Sequence, residues 1–87
     1  MTTLRLGRLL ATPGAVNTLT PDTFLGILQR HASGDWGELC DDDRASNEAA
    51  LLDGSRLLSA YPVEDERIWV ITEADRSATT VLLSEEY

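Results

Sequence analysis

"RLLSAYPVEDERIWVITEADRSATTVLL", residues 56–83, decides the fold. Three runs within it, 56–61, 67–72 and 79–83, are rich in apolar, β-branched and aromatic residues, and the connectors 62–66 and 73–78 are polar. Such side chains suit a pleated, half-buried surface. Connectors this short join antiparallel neighbours, because a parallel return needs a crossover of a dozen or more residues. The reading is a three-stranded meander with 67–72 in the middle. Alternation sends Ile68 and Val70 to one face and Trp69 and Ile71 to the other. Both faces of the central strand are therefore apolar. One should take helices. The other needs cover from the segment before residue 12, from the tail, or from a second copy of the chain in a homodimer.

Upstream residues supply the helices. Thr12-Pro13 and Thr20-Pro21 each place a hydroxyl cap before a proline, whose missing N–H costs nothing at the first helical position. After the second signal, Phe24, Ile27, Leu28 and His31 recur on one helical face, and Ser33-Gly34 ends the run. In "DDDRASNEAALLDG" (41–54), Asp41 can cap, Asp42 and Asp43 favour the positive helix end, and Gly54 suits a left-handed stop. Ala45, Ala49 and Leu52 form its expected inner face. Residues 4–12 read as a first strand, with a helix as the alternative. The expected fold is α+β: one domain over 1–87, two to three short helices on a small antiparallel sheet, closing in the C-terminal three-stranded meander.

Eighty-seven residues bury only about 60 to 65% of their unfolded surface, so one core is expected. A lone Cys40 cannot form an internal disulfide and suits a reducing cytoplasm. The apolar stretch near residue 5 is broken by Gly7 and Pro13, unlike a signal peptide, and no run is long enough to span a bilayer. A cytoplasmic protein is expected. Charge is the most informative bulk property. Residues 1–34 carry Arg5, Arg8 and Arg30 against Asp22, a net +2; residues 35–87 carry four arginines against fourteen acids, a net −10. The whole chain, at −8, repels phosphate backbones and attracts basic partners. A protein partner is expected, and direct nucleic-acid or membrane binding is not.

The turn Glu73-Ala74-Asp75-Arg76-Ser77 offers carboxylates, a guanidinium and a hydroxyl, groups that could act as acid, base and oxyanion partner. A strand-connecting turn favours the same residues for conformational reasons, and no second catalytic element is fixed opposite them. His31, Asp35, Cys40 and Asp41 lack the paired spacing by which a short loop brings two ligands to one zinc ion. His31 itself reads as a helix C-cap. Cys40, beside three aspartates, is a poor nucleophile. The chain contains no lysine, no phosphate-binding glycine loop and no dinucleotide fingerprint. No cofactor, metal site or catalytic constellation is expected. Trp36, in a glycine-flanked connector, reads as a core plug, with exposed recognition as the alternative. The candidate interaction surface comprises Trp36, Asp41, Asp42, Asp43, Glu73, Asp75 and Arg76.

"LATPGA", "RHASGDWGELCDDDRASNEAALLDGSRLLSAY" and "IWVITEADRSATTVLLSEEY" together resemble the small plasmid-related proteins of bacterial mobile elements, which often carry a loose label as a type I restriction endonuclease M subunit. The resemblance spans nearly the whole chain; Ser84 departs from it where proline is expected. It brings no activity, catalytic residue or ligand. A methyltransferase subunit needs a cofactor-binding α/β domain with a glycine-rich turn, and these residues contain none. The lack of a catalytic constellation and the segregated acidic surface point to a non-enzymatic accessory or protein-interaction module, and the resemblance implies that it belongs to a mobile element. The alternative is an acidic DNA mimic that occupies the groove of a basic nuclease, and a small enzyme ranks third.

Overall fold

The computed structural model describes residues 5–87, so Leu4, the first residue of the expected strand 4–12, lies outside the described residues. The chain runs β1 (Arg8–Ala11), α1 (Pro13–Thr18), α2 (Pro21–Ala32), α3 (Asp41–Asp53), β2 (Leu57–Val63), β3 (Glu66–Thr72) and β4 (Ala78–Leu83). A 3₁₀ turn, Ser84–Glu86, follows. The fold is α+β, with one four-stranded sheet in the order β1-β4-β3-β2. Strands β2, β3 and β4 form the antiparallel meander, with β3 in the middle. Strand β1 joins β4 in parallel, so the sheet as a whole is mixed rather than antiparallel. Short connectors dictate only the meander. All three main helices lie between β1 and β4, a connection long enough to return the chain in the same direction.

Register fixes which residues share a face. Ile68 stands between Tyr61 and Leu83, and Val70 between Ser59 and Val81. On this face Ala15 of α1 and Ile27 and Leu28 of α2 pack against Tyr61, Ile68, Val70, Val81 and Leu83. Both threonine caps form: the Thr12 hydroxyl accepts from the Ala15 N–H at 3.3 Å, and the Thr20 hydroxyl from the Thr23 N–H at 3.2 Å. The buried stripe of α2 is Ile27, Leu28 and His31, with Phe24 half-buried, as the periodicity predicts.

Helix α3 departs from expectation at both its start and its inner face. Cys40, not Asp41, is the cap residue, and its side chain makes no capping bond. The buried positions are Asn47 and Ala50, while Leu52 is 92% exposed. The cause is the outer edge of β2. Asn47 donates from Nδ2 to the Leu58 carbonyl at 2.6 Å and accepts the Leu58 N–H at 3.1 Å. One amide thus satisfies both edge groups of a residue whose backbone would otherwise lack partners. That pairing sets the rotation of α3 against the sheet, and Ala45, Ala49 and Leu52 face away. Gly54 ends the helix in the left-handed region, at φ 79°, as expected.

The same edge is sealed further along. The Ala60 N–H donates to the Trp36 carbonyl at 3.1 Å, and the Glu38 N–H donates to the Ala60 carbonyl at 2.7 Å. With that edge occupied, β2 offers little template for another strand. The second sheet face carries Leu58, Trp69 and Ile71. The tail crosses it, setting the Tyr87 ring 5.3 Å from that of Trp69. Strand β1 extends the sheet and does not cover this face.

Candidate functional site

The polar turn after β3 is built around Arg76. Its backbone is in the left-handed region, at φ 61°. From there the guanidinium donates to four carbonyls: Ser55 at 2.6 Å, Ala50 at 3.1 Å, Glu73 at 3.2 Å and Ala74 at 3.3 Å. Ala50 belongs to the last turn of α3, where its carbonyl also accepts the Gly54 N–H at 2.8 Å and a cation meets the negative end of the dipole. Arg76 therefore locks the turn to the helix. Asp75 shapes the turn by accepting the Ser77 N–H at 2.9 Å, and hydrogen bonding from the Ser77 hydroxyl, helped by that N–H, holds its carboxyl below its ordinary pKa. Glu73 lies 3.9 Å from the Arg56 guanidinium.

Replacing Arg76 with alanine is expected to lower stability by about 1 to 2 kcal/mol, the scale of charge-assisted hydrogen bonds at a partly exposed site. Urea denaturation checks the size, and faster amide exchange at Gly54 checks the location. Arg76→Lys should recover only part, because an ammonium lacks the planar fork that reaches separate carbonyls.

Trp36 is not part of any surface. It is 3% exposed, packs with Leu57 and Ala50, and donates from Nε1 to Glu48 Oε2 at 2.8 Å. The plug reading holds, and Trp36 leaves the candidate interaction set. Asp41, Asp42 and Asp43 are exposed on the first turn of α3. Arg76 sits at the other end of that helix, roughly 18 Å away at 1.5 Å per residue. The structure therefore splits the candidate residues into two separate groups.

His31 is the main surprise. It is not a charged cap but is fully buried, and both ring nitrogens meet hydroxyls. Nδ1 pairs with Ser59 Oγ, and Nε2 lies 2.8 Å from Thr72 Oγ1. Thr72 continues to Thr79 at 2.8 Å, and Thr79 donates to the Leu6 carbonyl at 2.8 Å. A carbonyl only accepts, so the direction of every bond follows. Thr79 spends its proton on Leu6, Thr72 must donate to Thr79, and the imidazole must donate from Nε2. Nδ1 is left to accept from Ser59. Burial, assisted by the charge of Arg76, pushes the His31 pKa down to about 4. A serine paired with histidine suggests a nucleophile, but Ser59, Thr72 and Thr79 are also fully buried, so no substrate reaches them. The network specifies the core. Its sequence signal was three hydroxyls at inward positions of adjacent strands, facing a histidine on an apolar helix stripe.

Two surface features remain. On the second sheet face, a half-open groove of about 310 Å³ is lined by Arg56, Leu58, Trp69, Ile71 and Tyr87, with Arg56 5.7 Å from the Tyr87 ring centre. At one end of the sheet, the Glu85 carboxyl raises the Glu66 pKa, by hydrogen bonding to the protonated form and by repulsion of the charged one. Nearby, Glu86 accepts from the Thr12 hydroxyl, the Leu83 N–H and the Gly14 N–H, which holds its carboxyl below the ordinary range. Family models, curated proteins and solved structures offer no match to the chain. Among the described residues no cluster of His, Cys, Asp and Glu could hold a metal ion, and no helix is long and apolar enough to cross a membrane.

Proposed function

We propose that this protein is a non-catalytic accessory module of a bacterial mobile element that works by docking to another protein. The observation that carries the reading is the groove on the sheet face that the helices leave open. Its walls are aromatic and aliphatic, with one guanidinium at the rim. Aromatic anchors beside arginine are the composition that dominates protein interfaces. The polar groups of the 73–77 turn support this reading by being engaged in holding α3 and the turn itself.

The test is capture from the native host, followed by reconstitution of the recovered partner with purified protein. Trp69→Ala is expected to weaken that complex about thirtyfold, the effect of removing an aromatic hot spot worth about 2 kcal/mol. Unchanged affinity in both Trp69→Ala and Leu58→Asp would overturn the assignment of the groove. Turnover of a nucleotide or nucleic acid that disappears in Glu73→Gln would overturn the non-catalytic reading.

The crowding of Glu66 against Glu85 favours a second reading, an acidic surface that imitates a nucleic acid and occupies a basic groove. It requires binding to a purified basic nuclease that falls steeply with salt and is lost in Glu66→Gln/Glu85→Gln.

A further inference from the structure

We propose that β1 is a self-association edge, and that two copies of the chain join β1 to β1 in antiparallel fashion, centred on Leu10, to make a continuous eight-stranded sheet. The inference does not depend on the docking groove. Of the two sheet edges, β2 is sealed by Asn47 and by residues 36–38, whereas among the described residues no backbone group pairs with the outer edge of β1. All four residues of β1 are exposed, Leu9 by 50% and Leu10 by 43%. Edges are usually blunted by a very short strand, by edge charges, by proline or by a bulge. "RLLA" is short and carries Arg8, but it has no proline and its register with β4 runs without a bulge.

Backbone geometry selects the register. The Arg8 N–H donates to the Ser77 carbonyl at 2.9 Å, and the Thr12 N–H to the Val81 carbonyl at 3.0 Å. Strand alternation therefore turns the N–H and C=O of Arg8, Leu10 and Thr12 toward β4, and those of Leu9 and Ala11 outward. Antiparallel pairing of Leu9 with Ala11 of the second copy, and the converse, uses all four outward groups of each chain. Leu10 then faces its own counterpart as a close, non-hydrogen-bonded pair. The two-fold axis is perpendicular to the sheet, so the helix-covered faces of both copies stay on one side. No side chain has to change face.

Charge complementarity singles out a second copy as the occupant. Strand β1 begins beside the arginine-bearing end of the chain and finishes beside Glu86, which accepts the Thr12 hydroxyl. In this register Arg8 lies directly across from Thr12 of the second copy, so the Arg8 guanidinium reaches that copy's Glu86. The pairing occurs twice by symmetry. Within one chain, Arg8 makes no ion pair among the described residues. The antiparallel arrangement sets the acidic end of each copy against the basic end of the other, whereas a parallel edge contact would set like ends together.

Light scattering and sedimentation from micromolar to millimolar protein test the proposal. The expected result is concentration-dependent assembly to twice the 9.5 kDa chain mass, weakened by salt. Leu10→Asp should abolish it, and Arg8→Glu should raise the dissociation constant about tenfold or more by replacing attraction with repulsion. Both positions are exposed, and circular dichroism and the melting temperature of the diluted protein should stay unchanged. Amide exchange supplies the positional readout: the Leu9 and Ala11 N–H groups should be protected in the wild type and exchange freely in Leu10→Asp. Wild-type protein that stays monomeric at millimolar concentration overturns the proposal. So does a dimer that survives both substitutions while the Leu9 and Ala11 amides exchange freely, since another surface must then hold it.

Discussion

Gly37→Ala is expected to cost at least about 3 kcal/mol, which is a large share of the roughly 4 to 13 kcal/mol available to a domain of this length. Two effects add. Gly37 sits at φ 74°, in the left-handed region, where a Cβ costs about 1 to 2 kcal/mol. A Cβ built there would also lie 2.0 Å from the Ala60 carbonyl oxygen and 2.7 Å from the Tyr61 ring. The first of these is backbone in a strand, so no side-chain rotation relieves it. Segment 36–38 must move off β2, and the hydrogen bonds linking Ala60 to Trp36 and Glu38 break. Trp36 loses its seat over Leu57 and Ala50 in consequence. Urea denaturation followed by tryptophan fluorescence measures the loss. Gly26→Ala is the control: a Cβ in that helix meets nothing within 4 Å, and the change is expected to be neutral or stabilising by up to about 1 kcal/mol. Equal stability of the two variants would refute the close approach at residue 37.

The meander, both threonine caps, the α2 stripe and the Gly54 stop were legible because each rests on a local rule. Alternation, capping chemistry and the freedom of glycine act over a few residues, and their signals survive in a bare sequence. What sequence could not convey were interactions whose two halves lie far apart in the chain. The face of α3 was misread because alanines and a leucine look apolar, whereas the helix is oriented by one amide, Asn47, clasping the edge of β2. Arg76 looked like a chemical group on a turn, but its partners Ala50 and Ser55 come from another element. The parallel addition of β1 was equally hidden, since nothing in "RLLA" says which strand it will join. Of the candidate site, only exposure at Asp41, Asp42, Asp43 and Asp75 was readable; the groove on the second sheet face was foreseen only as an apolar surface needing cover.

Between pH 5 and pH 7 the folded state is expected to gain about 2 kcal/mol of stability, and His31 is the reason. It is the only histidine in the chain. In the unfolded state it takes up a proton near its ordinary pKa of 6.5, but in the core that value falls to about 4. Below pH 6.5 the unfolded state therefore holds more protons than the folded one, so acidification favours unfolding. The effect grows down to about pH 4, where the full shift corresponds to about 3 kcal/mol, and then levels off. The hydrogen-bond directions supply the structural cause. Nε2 already donates into the Thr72–Thr79–Leu6 chain, so the added proton must go on Nδ1, against the hydroxyl proton of Ser59. Glu66 acts with the opposite sign: its raised pKa makes protonation favour the folded state, and its exposure keeps the contribution small. His31→Leu separates the two. That variant should lose about 2 to 4 kcal/mol at pH 7, because Ser59 and Thr72 are left with unmet hydrogen bonds in the core, and its stability should be nearly flat from pH 5 to 7. NMR titration of the imidazole gives the direct reading. An Nε2-protonated tautomer that holds to about pH 4 confirms the network, and a midpoint near 6.5 would show that water reaches the ring.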